Sequence, residues 1–121
     1  MTGRLDSYVA GWQARARQVE EDLREREASA RRLLPVLVEH LVRGYGVGRV
    51  VLIGSLAEGG FHARSDIDLA VEGLHGAALY RAGAELEALA SPFHVDLIPI
   101  EDAWDTMHTK IEQVGVVLHA G

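Results

Sequence analysis

Between Gly11 and Gly44 the chain has no glycine, and then Gly44, Gly46 and Gly48 follow in quick succession. Closely spaced glycines end helical structure, so this change divides the chain into two regimes. Ahead of it, Leu5, Val9, Trp12, Ala16, Val19 and Leu23 recur at spacings of three and four, the stripe of an amphipathic helix. Glu20, Glu21, Asp22, Arg24, Glu25, Arg26 and Glu27 supply mixed charges with i,i+4 partners, as on a solvated helix surface. Pro35 removes a helix donor and disfavours helix in the residue before it. A break is therefore expected near Leu33 and Leu34, with a second helix from Pro35 to Arg43. Residues 1–44 read as an N-terminal helical arm and residues 45–121 as the body of the protein.

Beyond the glycines the periodicity changes. Val50, Val51, Leu52 and Ile53 form a short β-branched run that stops at Gly54, a buried strand candidate. Ile67, Leu69 and Val71 alternate with Asp66, Asp68 and Ala70, which predicts a strand with two unlike faces. Helical spacing returns over Ala77–Ala90, a strand follows over His94–Ile100, then a helix over Ala103–Val114 and a last short strand over Val116–Leu118. Alternation of this kind argues for an α/β (α+β) layer.

Composition narrows the function classes. At 121 residues the chain fits a single domain, and 48% hydrophobic content suffices for a core. It has no cysteine, so a disulfide framework and a thiolate metal site are excluded, in keeping with a cytoplasmic setting. No apolar run approaches the roughly 20 residues of a membrane span, and the first residues lack the pattern of a signal peptide. A net charge of −6 argues against direct nucleic-acid binding, which needs Lys and Arg to neutralise phosphates.

Three features carry candidate chemistry. Asp66 and Asp68 are two residues apart and project from one strand face, about 7 Å apart along the backbone. Carboxylates so placed repel each other, and a hard divalent cation relieves that repulsion. Asp96 stands between Val95 and Leu97 in an apolar run, where aspartate is disfavoured without a partner or solvent. Beside the first pair it would complete a three-carboxylate cluster suited to two metal ions roughly 3.5–4 Å apart. Gly54-Ser55 follows a predicted strand, where glycine admits a phosphate to the backbone and serine adds a donor. Taken singly, each feature also reads as ordinary structure: a helix cap, a solvated turn, an edge-strand carboxylate. Neither a P-loop nor a Rossmann glycine fingerprint is present.

Together, Gly54-Ser55, then Asp66-Ile67-Asp68-Leu69, then Asp96 on the next strand resemble the minimal nucleotidyltransferase (MNT) family of the polymerase-β-like superfamily. The resemblance runs from about Val47 to Leu118, and the arm lies outside it. It implies a small mixed β-sheet backed by helices on one side, with the site on the open face. It implies transfer of a nucleoside monophosphate, AMP from ATP, to a hydroxyl, with pyrophosphate leaving. In that scheme Gly54 and Ser55 hold the triphosphate and Asp66 and Asp68 bind two Mg²⁺ ions. Asp96 completes the metal site and helps deprotonate the acceptor. Many such proteins resemble the antitoxin half of a toxin–antitoxin pair whose partner is a HEPN-domain ribonuclease. The implied action is adenylylation of that partner, tight binding, or both.

One position departs from the pattern. The family commonly carries arginine in Gly-Ser-x-Ala-Arg-Gly, where this chain has Glu58. A carboxylate there repels a triphosphate unless it turns to solvent or a cation such as Arg64 compensates. Two alternatives therefore stand beside the protein-directed enzyme: a binding antitoxin with little or no turnover, and a small-molecule, aminoglycoside-like nucleotidyltransferase. The latter needs an acceptor pocket that a chain ending soon after Leu118 would borrow from a partner or dimer. The histidines show no ligand spacing, and His62 alone falls within the expected site loop. Tyr8 and Trp12 read as packing residues, and the arm's stripe as an interface to the body, a partner protein or a second copy in a homo-oligomer.

Overall fold

The computed structural model describes residues 4–121, so the first three residues of the expected arm lie outside the described residues. The first helix, α1, runs unbroken over Arg4–Tyr45 with Pro35 inside it. The two-helix expectation is thus corrected. Proline deprives the carbonyl one turn earlier, that of Arg31, of its donor, but the residues around it anchor the helix to the core. Ala30, Leu34, Leu37 and Leu41 are all buried, at spacings that keep them on one face. Fully burying a leucine contributes about 1.5–3 kcal/mol, so three of them outweigh the roughly 3 kcal/mol that an interior proline costs.

α1 crosses the expected boundary at residue 44. Its last third belongs to the core, and its first part projects with its stripe uncovered. Leu5 is 73%, Trp12 66% and Val19 58% exposed.

The body follows the expected order closely. After α1 come β1 (Arg49–Ile53), the one-turn α2 (Ser55–Glu58), β2 (Ile67–Glu72), α3 (Gly76–Ala90) and β3 (Val95–Pro99). A 3-10 turn (Ile100–Asp102), α4 (Asp105–Val114) and β4 (Val116–Ala120) complete the chain. The four strands form one mixed sheet in the order β3-β2-β1-β4. β1 is antiparallel to β2 and β4, while β2 and β3 are parallel, joined by the α3 crossover.

Strand alternation divides the core in two. Val50, Leu52, Ile67, Leu69, Val71 and Val95 face α1 and α3. Val51, Ile53, Ala70 and Ile98 face the other way, onto Ile100 and the α4 residues Met107 and Ile111. The expectation of helices on one side only therefore needs correction, because α4 covers part of the second face. Amphipathic spacing shows that a helix has an apolar stripe, but not which side of a sheet receives it. α4 is pinned by Arg49, whose guanidinium lies 3.2 Å from Glu112, and by Gly115, where a Cβ would collide with the Ile111 carbonyl and Val51. On the opposite layer, Tyr45 donates a hydrogen bond to Glu85, and His40 lies 3.0 Å from the same carboxylate, clamping α1 to α3.

Candidate functional site

β1 ends at Ile53, and the chain must turn sharply to start α2. Gly54 does this with φ 75°, in the left-handed region that favours glycine. The same residue is in tight contact with a functional side chain, for a Cβ on Gly54 would overlap the Asp68 carboxylate. Glycine is needed here twice over, for its backbone angle and for the space it leaves. Ser55 opens α2, and the N–H groups of Ala57 and Glu58 turn back to the Gly54 carbonyl, 3.1 and 3.0 Å away. That leaves the first-turn donors of Ser55 and Leu56 without a partner inside the helix.

Sheet register brings two of the three carboxylates together. Asp68 is the cross-strand partner of Ile53 on one side and of Asp96 on the other. Adjacent strands lie about 4.8 Å apart, and paired residues share a face, so Asp68 and Asp96 stand side by side. Their face is that of Ala70 and Ile98, the α4 side. Asp66 precedes β2 and is exposed. It lies close enough for its charge to act on Asp68, but the strand ladder does not hold it. Among the described residues no three acidic or histidine side chains converge into a ready-made metal cage.

Electrostatics single out Asp68. Burial, then the charge of Asp96, then that of Asp66 push its pKa up to about 6, with Lys110 acting in the opposite sense. Carboxylates grouped this way repel one another, and their oxygens are the hard donors that Mg²⁺ prefers. The donor chemistry of the paired Asp68 and Asp96 carboxylates fits a divalent cation.

Sequence reasoning missed several residues around the site. Glu58 does not pair with Arg64. Its carboxylate lies 3.9 Å from Lys110 on α4, the only lysine in the chain. No local pattern links residues 58 and 110. From α1, Arg31 donates a 2.6 Å hydrogen bond to the Leu56 carbonyl. Arg26 lies over the rings of Phe93 and Phe61, 4.6 and 5.8 Å from their centroids, and reaches the His62 carbonyl at 3.4 Å. His62 serves its own loop: its Nδ1 accepts from the Arg64 N–H at 3.1 Å, and its N–H donates to the Ser65 hydroxyl at 2.9 Å. These bonds shape the segment from α2 to Asp66.

Comparison with known proteins follows the same lines. The family described as "nucleotidyltransferase domain" matches residues 34–119, a span that holds Gly54, Ser55, Asp66, Asp68 and Asp96. Among solved structures, the chain resembles one described as a toxin–antitoxin with AMP-PNP at TM-score 0.61 and 26% identity, over 70% of this chain and 72% of that one. A second, described as a putative minimal nucleotidyltransferase, gives TM-score 0.56 and 25% identity over 79% and 92% of the two chains. A third contains a tri-AMPylated Shewanella oneidensis HEPN toxin with an MNT antitoxin. It shares the fold at TM-score 0.53 and 22% identity, over 69% of this chain and 67% of that one. No curated protein matches the chain significantly.

Proposed function

We propose, for a chain that belongs to the nucleotidyltransferase domain family, that it transfers AMP from Mg·ATP to a hydroxyl of a HEPN-type toxin and so acts as its antitoxin. The observation that carries this reading is the juxtaposition of Gly54 with Asp68 and of Asp68 with Asp96. The likeness to a toxin–antitoxin structure with AMP-PNP supports it.

In this reading Gly54 and Ser55 receive the phosphates, the first by turning the chain so that Asp68 packs against it and the second by donating its hydroxyl. Asp68 and Asp96, paired across the sheet, would hold the metal, with Asp66 swinging in from the preceding loop to join them. Bound Mg²⁺ supplies neutralisation of phosphate charge and acidifies the acceptor hydroxyl. Asp96 is the carboxylate on the open edge strand, so it is the one an acceptor from a partner protein reaches, and it takes the hydroxyl proton. The new bond joins the acceptor oxygen to the α-phosphorus, the α–β bridge breaks, and pyrophosphate leaves with the electron pair.

Calorimetric titration with ATP, with and without Mg²⁺, tests the site. Mg-dependent binding that vanishes in Asp66→Ala/Asp68→Ala is the expected result. Incubation with a HEPN toxin should then add AMP to the toxin by intact mass. Wild-type protein that binds no nucleotide, alone or with toxin, would contradict the enzyme reading. A second reading, a binding antitoxin without turnover, is favoured by Glu58 beside the phosphate turn. It predicts a toxin complex that forms and neutralises with no nucleotide present.

A further inference from the structure

Lys110 is the only lysine of the chain, and it pairs with Glu58 near enough to Asp68 for its charge to act there. It stands on α4, on the same side of the sheet as Asp68. Its ammonium lies 3.9 Å from the Glu58 carboxylate, at the end of the helix that Gly54 and Ser55 begin. Glu58, Lys110, Thr106, Thr109 and Gln113 line one open cleft of about 480 Å³, within the usual size range of small-ligand sites. Both members of the ion pair keep much of their surface in water, 53% for Lys110 and 38% for Glu58. A pair so exposed adds little to stability, and separation costs little. The pair is therefore poorly explained as a structural strut. Its position makes sense as a flexible cation kept close to a turn beside which four carboxylates, Glu58, Asp66, Asp68 and Asp96, gather, while the nearby Arg31 is engaged with the Leu56 carbonyl.

We propose that Lys110 is a nucleotide-binding residue, held by Glu58 in the free protein and released onto the outer phosphates of a bound nucleoside triphosphate. The inference rests on the nucleotidyltransferase reading above and adds to it the group that recognises the β and γ phosphates. A lysine suits this task because its four-carbon stem pivots and its ammonium acts as a point charge. Glu58 is the retaining partner. It competes with the triphosphate for Lys110, which sets the affinity of the site below its maximum.

The test is calorimetric titration of wild type, Lys110→Gln, Lys110→Arg and Glu58→Gln with Mg·ATP and with Mg·AMP. Circular dichroism melts should confirm that all four are folded. Lys110→Gln is expected to weaken Mg·ATP binding tenfold or more and leave Mg·AMP unchanged. Lys110→Arg should restore most of the loss, and Glu58→Gln should bind Mg·ATP at least as tightly as wild type. Wild-type binding that survives within twofold in Lys110→Gln overturns this inference and leaves the nucleotide reading standing. So does an equal loss for ATP and AMP. A wild-type protein that binds neither nucleotide overturns both.

Discussion

At the scale of single residues the site turns on Gly54 and Asp68. Gly54→Ala adds a Cβ where the Asp68 carboxylate sits, in a backbone region that alanine avoids. Loss of Mg-dependent nucleotide binding is expected by calorimetry, with a stability loss of about 1–3 kcal/mol from the positive φ alone. Asp68 shows a conflict between function and stability. Its pKa is raised to about 6 in the folded protein from an ordinary 3.8. Between those values the native state holds a proton that the unfolded chain has released. Stability from this group is therefore present at low pH and lost as pH rises through the window. Asp68→Asn is expected to raise the melting temperature at pH 8, leave it unchanged at pH 3, and abolish Mg-dependent binding. Metal binding also requires the carboxylate form, so Mg·ATP titrated at pH 6 should release protons. Repeating the titration in buffers of different ionisation enthalpy would detect them.

At the scale of elements, α1 does two jobs along one length. Its last third is a core helix, and two of its arginines hold the site loop from behind. Arg31→Ala removes the hydrogen bond to the Leu56 carbonyl at the centre of α2. A stability loss of about 1.5–3 kcal/mol in a chemical denaturation series is the expected outcome, since the donor is charged. Pro35 is the opposite case. It is exposed and interrupts the helix ladder, so Pro35→Ala should stabilise the protein, by at most the ~3 kcal/mol that separates the two residues in a helix interior. An unchanged or lower denaturation midpoint would mean that the proline ring contributes packing that alanine does not replace.

Across the whole molecule, stability resides in the sheet and the helices that sandwich it. The segment Arg4–Asp22 is exposed apart from Gly11, so removing residues 1–22 should change the unfolding free energy by well under ~1 kcal/mol. Leu37→Ala, at a position with no exposed surface, should cost about 2–5 kcal/mol in the same assay. The contrast separates a projecting surface from a structural helix although both belong to α1. No described helix is long and apolar enough to cross a membrane.

The body of this fold was legible in the sequence because its signals are local. Period-two alternation over Asp66–Val71 marks a strand and assigns Ile67 and Leu69 to one face and Asp68 to the other, before any partner is known. The Gly54-Ser55 turn after an apolar run is likewise a property of consecutive residues. What the sequence left open depends on distance along the chain. Proline's cost is local, but the burial that overrides it comes from strands that follow in sequence. Which side of the sheet receives α4 is decided by Val51, Ile53 and Ala70, on two different strands. The pairing of Asp68 with Asp96 depends on the parallel register that α3 sets between β2 and β3. The meeting of Glu58 with Lys110 joins residues on two helices that no repeat or spacing connects. The sequence by itself determined the elements of the body and the residue types of the candidate site, but not the continuity of α1. Tertiary structure alone decided which charges meet, because electrostatic energy depends on separation in space, whereas periodicity records only separation along the chain.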